Sequence, residues 1–210
     1  MSSKFGYIPE SPEQSFGNNK GILSPNDIYD LTVADKYTNY GQLELIETKT
    51  VSNAVVDFTN LGNYNVHFVT FNDIVLSTDN ELLGHRLSNN GGSSFISTGY
   101  QFAIQYGGTG GDFGESKNTN YSSLSTLAVT GNATNETKNG YVYYYNLLDS
   151  SKYSFCTLQT FSQYTGGAEG LFGSGVKTTA ETHNAIRFLT TGGNALTSGS
   201  ISLYGIKEYS

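Results

Sequence analysis

An all-β chain folded as an antiparallel two-sheet β-sandwich, jelly-roll-like, behind an extended N-terminal arm with one short helix is what this sequence predicts. Three observations predict it. Charged residues make up only 14% of the chain while Gly, Ser, Thr and Asn abound, a mixture that disfavours helices and favours strands joined by turns. From about Gln42 onward, apolar and polar residues alternate at the period of a half-buried strand. Those runs are punctuated by Asn89-Asn90-Gly91-Gly92, by Gly107 to Gly111, by Asn139-Gly140 and by Gly192-Gly193-Asn194, residues that tolerate the positive φ of turns.

The elements follow in chain order. Pro9, Pro12 and Pro25 are the only prolines, and all fall in the first 25 residues, which separates an arm, residues 1–45, from a sandwich, residues 46–210. Ser24 as N-cap, Pro25 at the first helical position and Asp27 in the first turn predict a short helix over Pro25 to Thr32, with Ile28 and Leu31 on one face. The stretch Phe5 to Lys20 has isolated aromatics but no periodicity, so it is expected to be extended and to need a host surface. Strands are expected at Leu43–Thr48, Ala54–Phe58, Asn65–Phe71, Glu81–Leu87, Phe95–Tyr106 with a bulge at Gly99, Leu124–Thr130, Gly140–Leu147, Lys152–Gln163, Ala185–Leu189 and Ser200–Lys207. In the third of these, Val66, Phe68 and Thr70 share a face, and His67 opposes them at the surface or partly buried. The run Tyr141-Val142-Tyr143-Tyr144-Tyr145 has aromatics on both faces, so one face is exposed or covered by a neighbouring subunit. Near the end, Ile201 and Leu203 alternate with Ser200 and Ser202, with Asn194 to Gly199 as the preceding turn.

Composition also excludes function classes. A chain of 210 residues suits one sandwich, and its 37% hydrophobic content includes 16 Tyr and 12 Phe, whose large rings compensate for the modest total in filling a core. The formal net charge is −7, and the 11 Lys and Arg are unclustered, so nucleic acid is not an expected partner. No apolar run reaches the about 18 residues of a membrane span, and the N-terminus has no apolar signal core, so a soluble product without membrane insertion or a cleaved signal is expected. Cys156, the single cysteine, is expected to be a buried, inert thiol.

Chemistry-bearing residues do not converge on a catalytic pattern. His67, His85 and His183 are scattered and lack a second ligand type at metal spacing. Gly107 to Asp112 has no following Lys-Ser/Thr and no helix, so it reads as a turn rather than a phosphate cradle. Asp73, Asp79, Asp112 and Glu115 show none of the alternation of a calcium loop. The expectation is a chain with no enzyme activity, no catalytic residues, no metal and no cofactor. Tyr100, Tyr106, Tyr121, Tyr143 and Tyr164 lie near Gly-rich loops and supply ring faces for stacking on sugars, but the expectation favours a subunit interface over a glycan pocket for them.

Two stretches carry a family resemblance. Gln14 to Leu31, reading QSFGNNKGILSPNDIYDL, resembles a segment of virion structural and tail-fibre-like proteins of tailed bacteriophages, marine and cyanobacterial ones in particular. Ile186-Arg187-Phe188, Gly192-Gly193-Asn194 and Thr197 to Lys207, ending Leu-Tyr-Gly-Ile-Lys, resemble the closing hairpin of phage fibre and head-fibre domains. The resemblance implies a structural protein of the virion, assembled in the host cytoplasm, homotrimeric and bound to other virion proteins. Particle attachment then falls to the arm through Phe5, Tyr7, Phe16, Ile22, Ile28 and Leu31. The first expectation is a short tail-fibre or tail-associated module binding a host surface glycan. A capsid decoration or head-fibre protein is the alternative, and a polysaccharide depolymerase the third.

Overall fold

A computed structural model describes residues 14–15, 18–19, 24–34 and 43–208. The chain divides into two units, residues 1–42 and 43–210, so the second begins with its first long strand, three residues before position 46.

In the first unit, β1 (Gln14–Ser15) and β2 (Asn18–Asn19) form a two-residue antiparallel ladder, and α1 spans Pro25–Val33. The helix starts where expected because Ser24 and Asp27 form a capping box. The Asp27 backbone N–H donates to Ser24 Oγ at 3.2 Å, and the Ser24 N–H donates back to the Asp27 carboxylate at 2.8 Å. No residue of α1 is buried; Ile28 is exposed and Leu31 half-buried. Phe5, Tyr7, Phe16 and Ile22 lie outside the described residues, as does most of the expected extended stretch.

The second unit holds β3 (Leu43–Thr50), β4 (Val55–Phe58), β5 (Val66–Leu76), β6 (Glu81–Ser88), β7 (Tyr100–Gly108), β8 (Phe113–Tyr121), β9 (Leu124–Thr130), β10 (Lys138–Tyr145), β11 (Ser154–Tyr164), β12 (Gly167–Lys177), β13 (Ala185–Thr190) and β14 (Leu196–Ile206). Their pairing is nested. β3 pairs with β14, β4 with β13 and β5 with β10, β6 with β9, all antiparallel, and β14 with β5 and β13 with β6 close the structure crosswise. This is one long hairpin wrapped on itself, the order of an eight-stranded jelly roll. Two further hairpins, β7–β8 and β11–β12, are inserted into it, and they pair with each other through β12 and β7. They lengthen one sheet to the order β3-β14-β5-β10-β11-β12-β7-β8, against a second sheet β4-β13-β6-β9. The predicted antiparallel two-sheet sandwich is therefore what the chain forms.

The core lies between the sheets. Phe188 of β13 meets Phe58 edge-on at 6.4 Å and Phe71 at 6.3 Å, and Val69, Ile201 and Leu203 beside them are wholly buried. Burial of this core stabilises the fold at about 25 cal/mol per Å² of apolar surface removed from water. Farther along, Lys138 Nζ donates to the Ala128 carbonyl at 2.7 Å and Ser162 Oγ to the Val129 carbonyl at 2.6 Å, so β9 is tied to the opposite sheet by hydrogen bonds as well as by packing.

Several expectations need correction. In β5 the alternation is as read, but the face is inverted: His67, Val69 and Phe71 point inward, while Val66, Phe68 and Thr70 point out. His67 is fully buried, with Nε2 against the Leu61 carbonyl at 2.8 Å, because the ring edge finds a backbone partner inside the sandwich. Gly99 is not a bulge within a strand. With φ +75°, it precedes β7 and donates its N–H to Asn120 Oδ1 at 2.9 Å, so the strand starts only at Tyr100. The turn before the last strand is also earlier, around Thr191 to Gly193, and Leu196 to Gly199 already belong to β14. Ile201 and Leu203 face the core as expected.

β8 and β12 carry no alternation signal in the sequence. β8, reading FGESKNTNY, is a polar edge strand with one fully paired side. β12 contains four glycines after Gly167 is counted with Gly170, Gly173 and Gly175, which reads as loop. Packing explains two of them. A Cβ on Gly175 would collide with the Leu124 side chain of β9, and one on Gly173 with Ile104 of β7, so the inward face of β12 must be bare at these two positions.

Candidate functional site

The inserted hairpins place a groove on the outer face of the large sheet. Its volume is about 700 Å³. The register accounts for its shape. Across β10, β11, β12, β7 and β8 the outward residues Tyr143, Thr157, Ser174, Ala103 and Lys117 lie opposite one another in a single row. Side chains in that row shrink from tyrosine to hydroxyls and a methyl, then rise again at Lys117, so the middle of the row is a trough. The neighbouring row, Tyr141, Gln159, Phe172, Gln105 and Glu115, is built of long side chains and forms one wall. Tyr145 and Phe155 begin the row on the other side. Spanning four inter-strand steps of about 4.8 Å, the trough runs roughly 19 Å across the strands.

Its rings are held in place. Tyr143 lies against Phe68 with centroids 4.5 Å apart and beside Tyr145 at 6.5 Å, nearly parallel. The Tyr141 hydroxyl donates to Gln159 Oε1 at 2.7 Å, which orients that amide and leaves its N–H donors with no partner among the described residues. Tyr145 Oη and Thr157 Oγ1 are 3.3 Å apart. Phe172, 58% exposed, and Phe161, 56% exposed, stand on the same face, a large apolar display for a surface position. Charge is nearly absent. Among the described residues lining the groove the ionised pair is Lys117 and Glu115, 3.1 Å apart and mutually neutralising.

Of the five tyrosines singled out by sequence, only Tyr143 lines this groove. Tyr100 is fully buried; its hydroxyl accepts from the Leu87 N–H at 2.7 Å and donates to the Ile96 carbonyl at 3.2 Å, so it has no face to offer a ligand. Tyr106 and Tyr121 point inward and pack partly buried on the core, Tyr121 edge-on to Phe102 at 5.3 Å. Tyr164 sits at the β11–β12 turn, its ring beside Gly166. Tyr141 and Tyr145 belong to the site and were signalled by the Tyr141–Tyr145 alternation. Phe172 was not, because its strand was unreadable.

The three histidines, Ser154 and Cys156 are sealed in. Ser154 Oγ lies 2.7 Å from His183 Nδ1, and His183 Nε2 lies 3.4 Å from Glu181, a Ser-His-Glu line with the letters of a hydrolase triad. Ser154 is 1% exposed, so its hydroxyl meets no substrate. The contact ties the start of β11 to the loop before β13. Burial lowers the affinity of His183 for a proton, with Glu181 opposing. His85 stacks on Phe188 at 5.8 Å and pairs through Nδ1 with the Tyr144 hydroxyl at 2.6 Å; burial pushes its pKa down to about 3. The Cys156 thiol is buried and pushed up to about 12, which removes the thiolate that reactivity requires.

No family model matches the chain, and neither curated proteins nor solved structures give a significant match.

Proposed function

We propose that this chain is a non-enzymatic structural module of a tailed-phage particle, attached through its N-terminal unit and presenting the outer face of its large sheet for recognition. The observation that carries the recognition half is the groove: an open, ring-lined trough built by two hairpins inserted into a jelly roll that is complete without them. Glycoside hydrolysis needs two carboxyl groups flanking the bond. The groove lining has one, Glu115, held by Lys117. That favours binding over depolymerisation.

Particle membership rests on the N-terminal and C-terminal resemblances, and a tail position on the adhesive character of the groove. Immunogold labelling of intact particles tests both. Label at the tail supports the module as stated; label spread in many copies over the head replaces it with a decoration or head-fibre protein, and unlabelled particles overturn it. Removal of residues 1–42 is expected to abolish incorporation while leaving a soluble sandwich, and a truncated form that still joins particles refutes the division of labour.

A further inference from the structure

We infer that the trough takes an uncharged oligosaccharide lying across the strands along Thr157, Ser174 and Ala103; this deepens the binding reading above and depends on it.

Three features select that chemistry. The floor and one wall offer side-chain hydroxyls and amides, Thr157, Ser174, Gln159 and Gln105, groups that both donate and accept hydrogen bonds, as sugar hydroxyls do. Rings at Tyr143 and Phe172 supply apolar faces for the C–H surface of a pyranose. The Lys117–Glu115 pair cancels its own charge in a chain of net charge −7, so nothing in the trough compensates an anionic sugar.

The same geometry disfavours other occupants. An extended peptide needs main-chain partners, and this floor is the face of a sheet whose backbone groups are already paired between strands. A second copy of the chain related by a twofold axis would oppose one trough to another, leaving the middle of both unfilled. A free oligosaccharide, narrow and polar on its edges, fits the trough.

The test uses the full chain on an array of neutral cello-, malto-, manno-, xylo- and galacto-oligosaccharides beside sialylated and uronic-acid glycans, followed by calorimetry on the best probe. The expected result is binding to a neutral probe, little changed between low and high salt. Ser174 is exposed, so Ser174→Tyr fills the trough without touching the core; it is expected to weaken binding by more than about tenfold, with an unchanged thermal midpoint. Ser174→Ala, which removes one hydroxyl, should weaken it by less than about tenfold.

Failure of every neutral probe, salt-sensitive binding to acidic glycans alone, or full affinity in Ser174→Tyr overturns the inference. Self-association that Ser174→Tyr abolishes, without glycan binding, also overturns it and makes the face a subunit interface. The parent reading fails separately, by absence of the protein from particles, whatever the array shows.

Discussion

Lys138 is the side chain least suited to its surroundings. It is fully buried, a single hydrogen bond to the Ala128 carbonyl is its anchor, and burial pushes its pKa down to about 7, with Glu169 opposing. A charged amine between two sheets costs stability wherever it stays protonated in the folded state. The folded chain releases that proton near pH 7 and the unfolded chain keeps it to its ordinary value near 10.5, so the unfolded state binds more protons between these limits and stability rises with pH there. Lys138→Met is expected to remove this rise: urea midpoints of wild type and variant should differ more in the variant's favour at pH 6 than at pH 9. His85 acts at the other end of the scale. Its folded pKa of about 3 lies below the ordinary 6.5, so the stability tied to its neutral form is fully present above pH 6.5 and is lost as pH falls toward 3, at up to about 1.4 kcal/mol per pH unit. His67 and His183, also lowered by burial, add in the same direction. Wild type should therefore lose urea resistance steadily from pH 6.5 to 4, and His85→Gln should show a shallower loss. Cys156 should resist thiol reagents in the folded protein and react on denaturation, which a chromogenic disulfide assay reads directly.

Elements depend on which face of a strand is bare. Gly175 faces Leu124 and cannot carry a side chain, whereas Gly170, on the outer face, has Phe161 at an ordinary contact distance of 3.5 Å from an added Cβ. Gly175→Ala is expected to destabilise the sandwich by about 1–3 kcal/mol through overpacking, and Gly170→Ala to stay within about 0.5 kcal/mol, both read by chemical denaturation. The same pair explains what was readable. Strands such as β11, with buried and exposed positions alternating through all but its last residue, announce themselves by composition. β12 does not, since two of its inward positions, Gly173 and Gly175, are empty for the sake of neighbours 40 or more positions away in sequence, and β8 does not, since an exposed polar edge needs no apolar face. For β5 the period was legible and its direction was not: a histidine among aromatics looks like the polar member of the alternation until a backbone carbonyl is found for it inside.

For the whole molecule, the jelly roll and its additions have separate roles. The eight nested strands make the core, and the two inserted hairpins widen one sheet so that its outer face holds a trough. The core therefore bears the large penalties. Phe188→Ala, which empties the contact among Phe58, Phe71 and His85, is expected to cost about 3–5 kcal/mol, while Ser174→Tyr leaves the melting temperature unchanged and alters only binding.

Local information sufficed for the class of fold and for the start of α1, because composition, period-two alternation and the Ser24–Asp27 cap act over a few neighbouring residues. It sufficed also to mark the Tyr141–Tyr145 run as having a face to spare. Only the tertiary structure decided which face was inside, that β12 and β7 become neighbours, and that Thr157, Ser174 and Ala103 line up beneath Tyr143. Those outcomes depend on register between strands far apart in the chain, and register is set by packing across both sheets at once, which no short stretch of sequence contains.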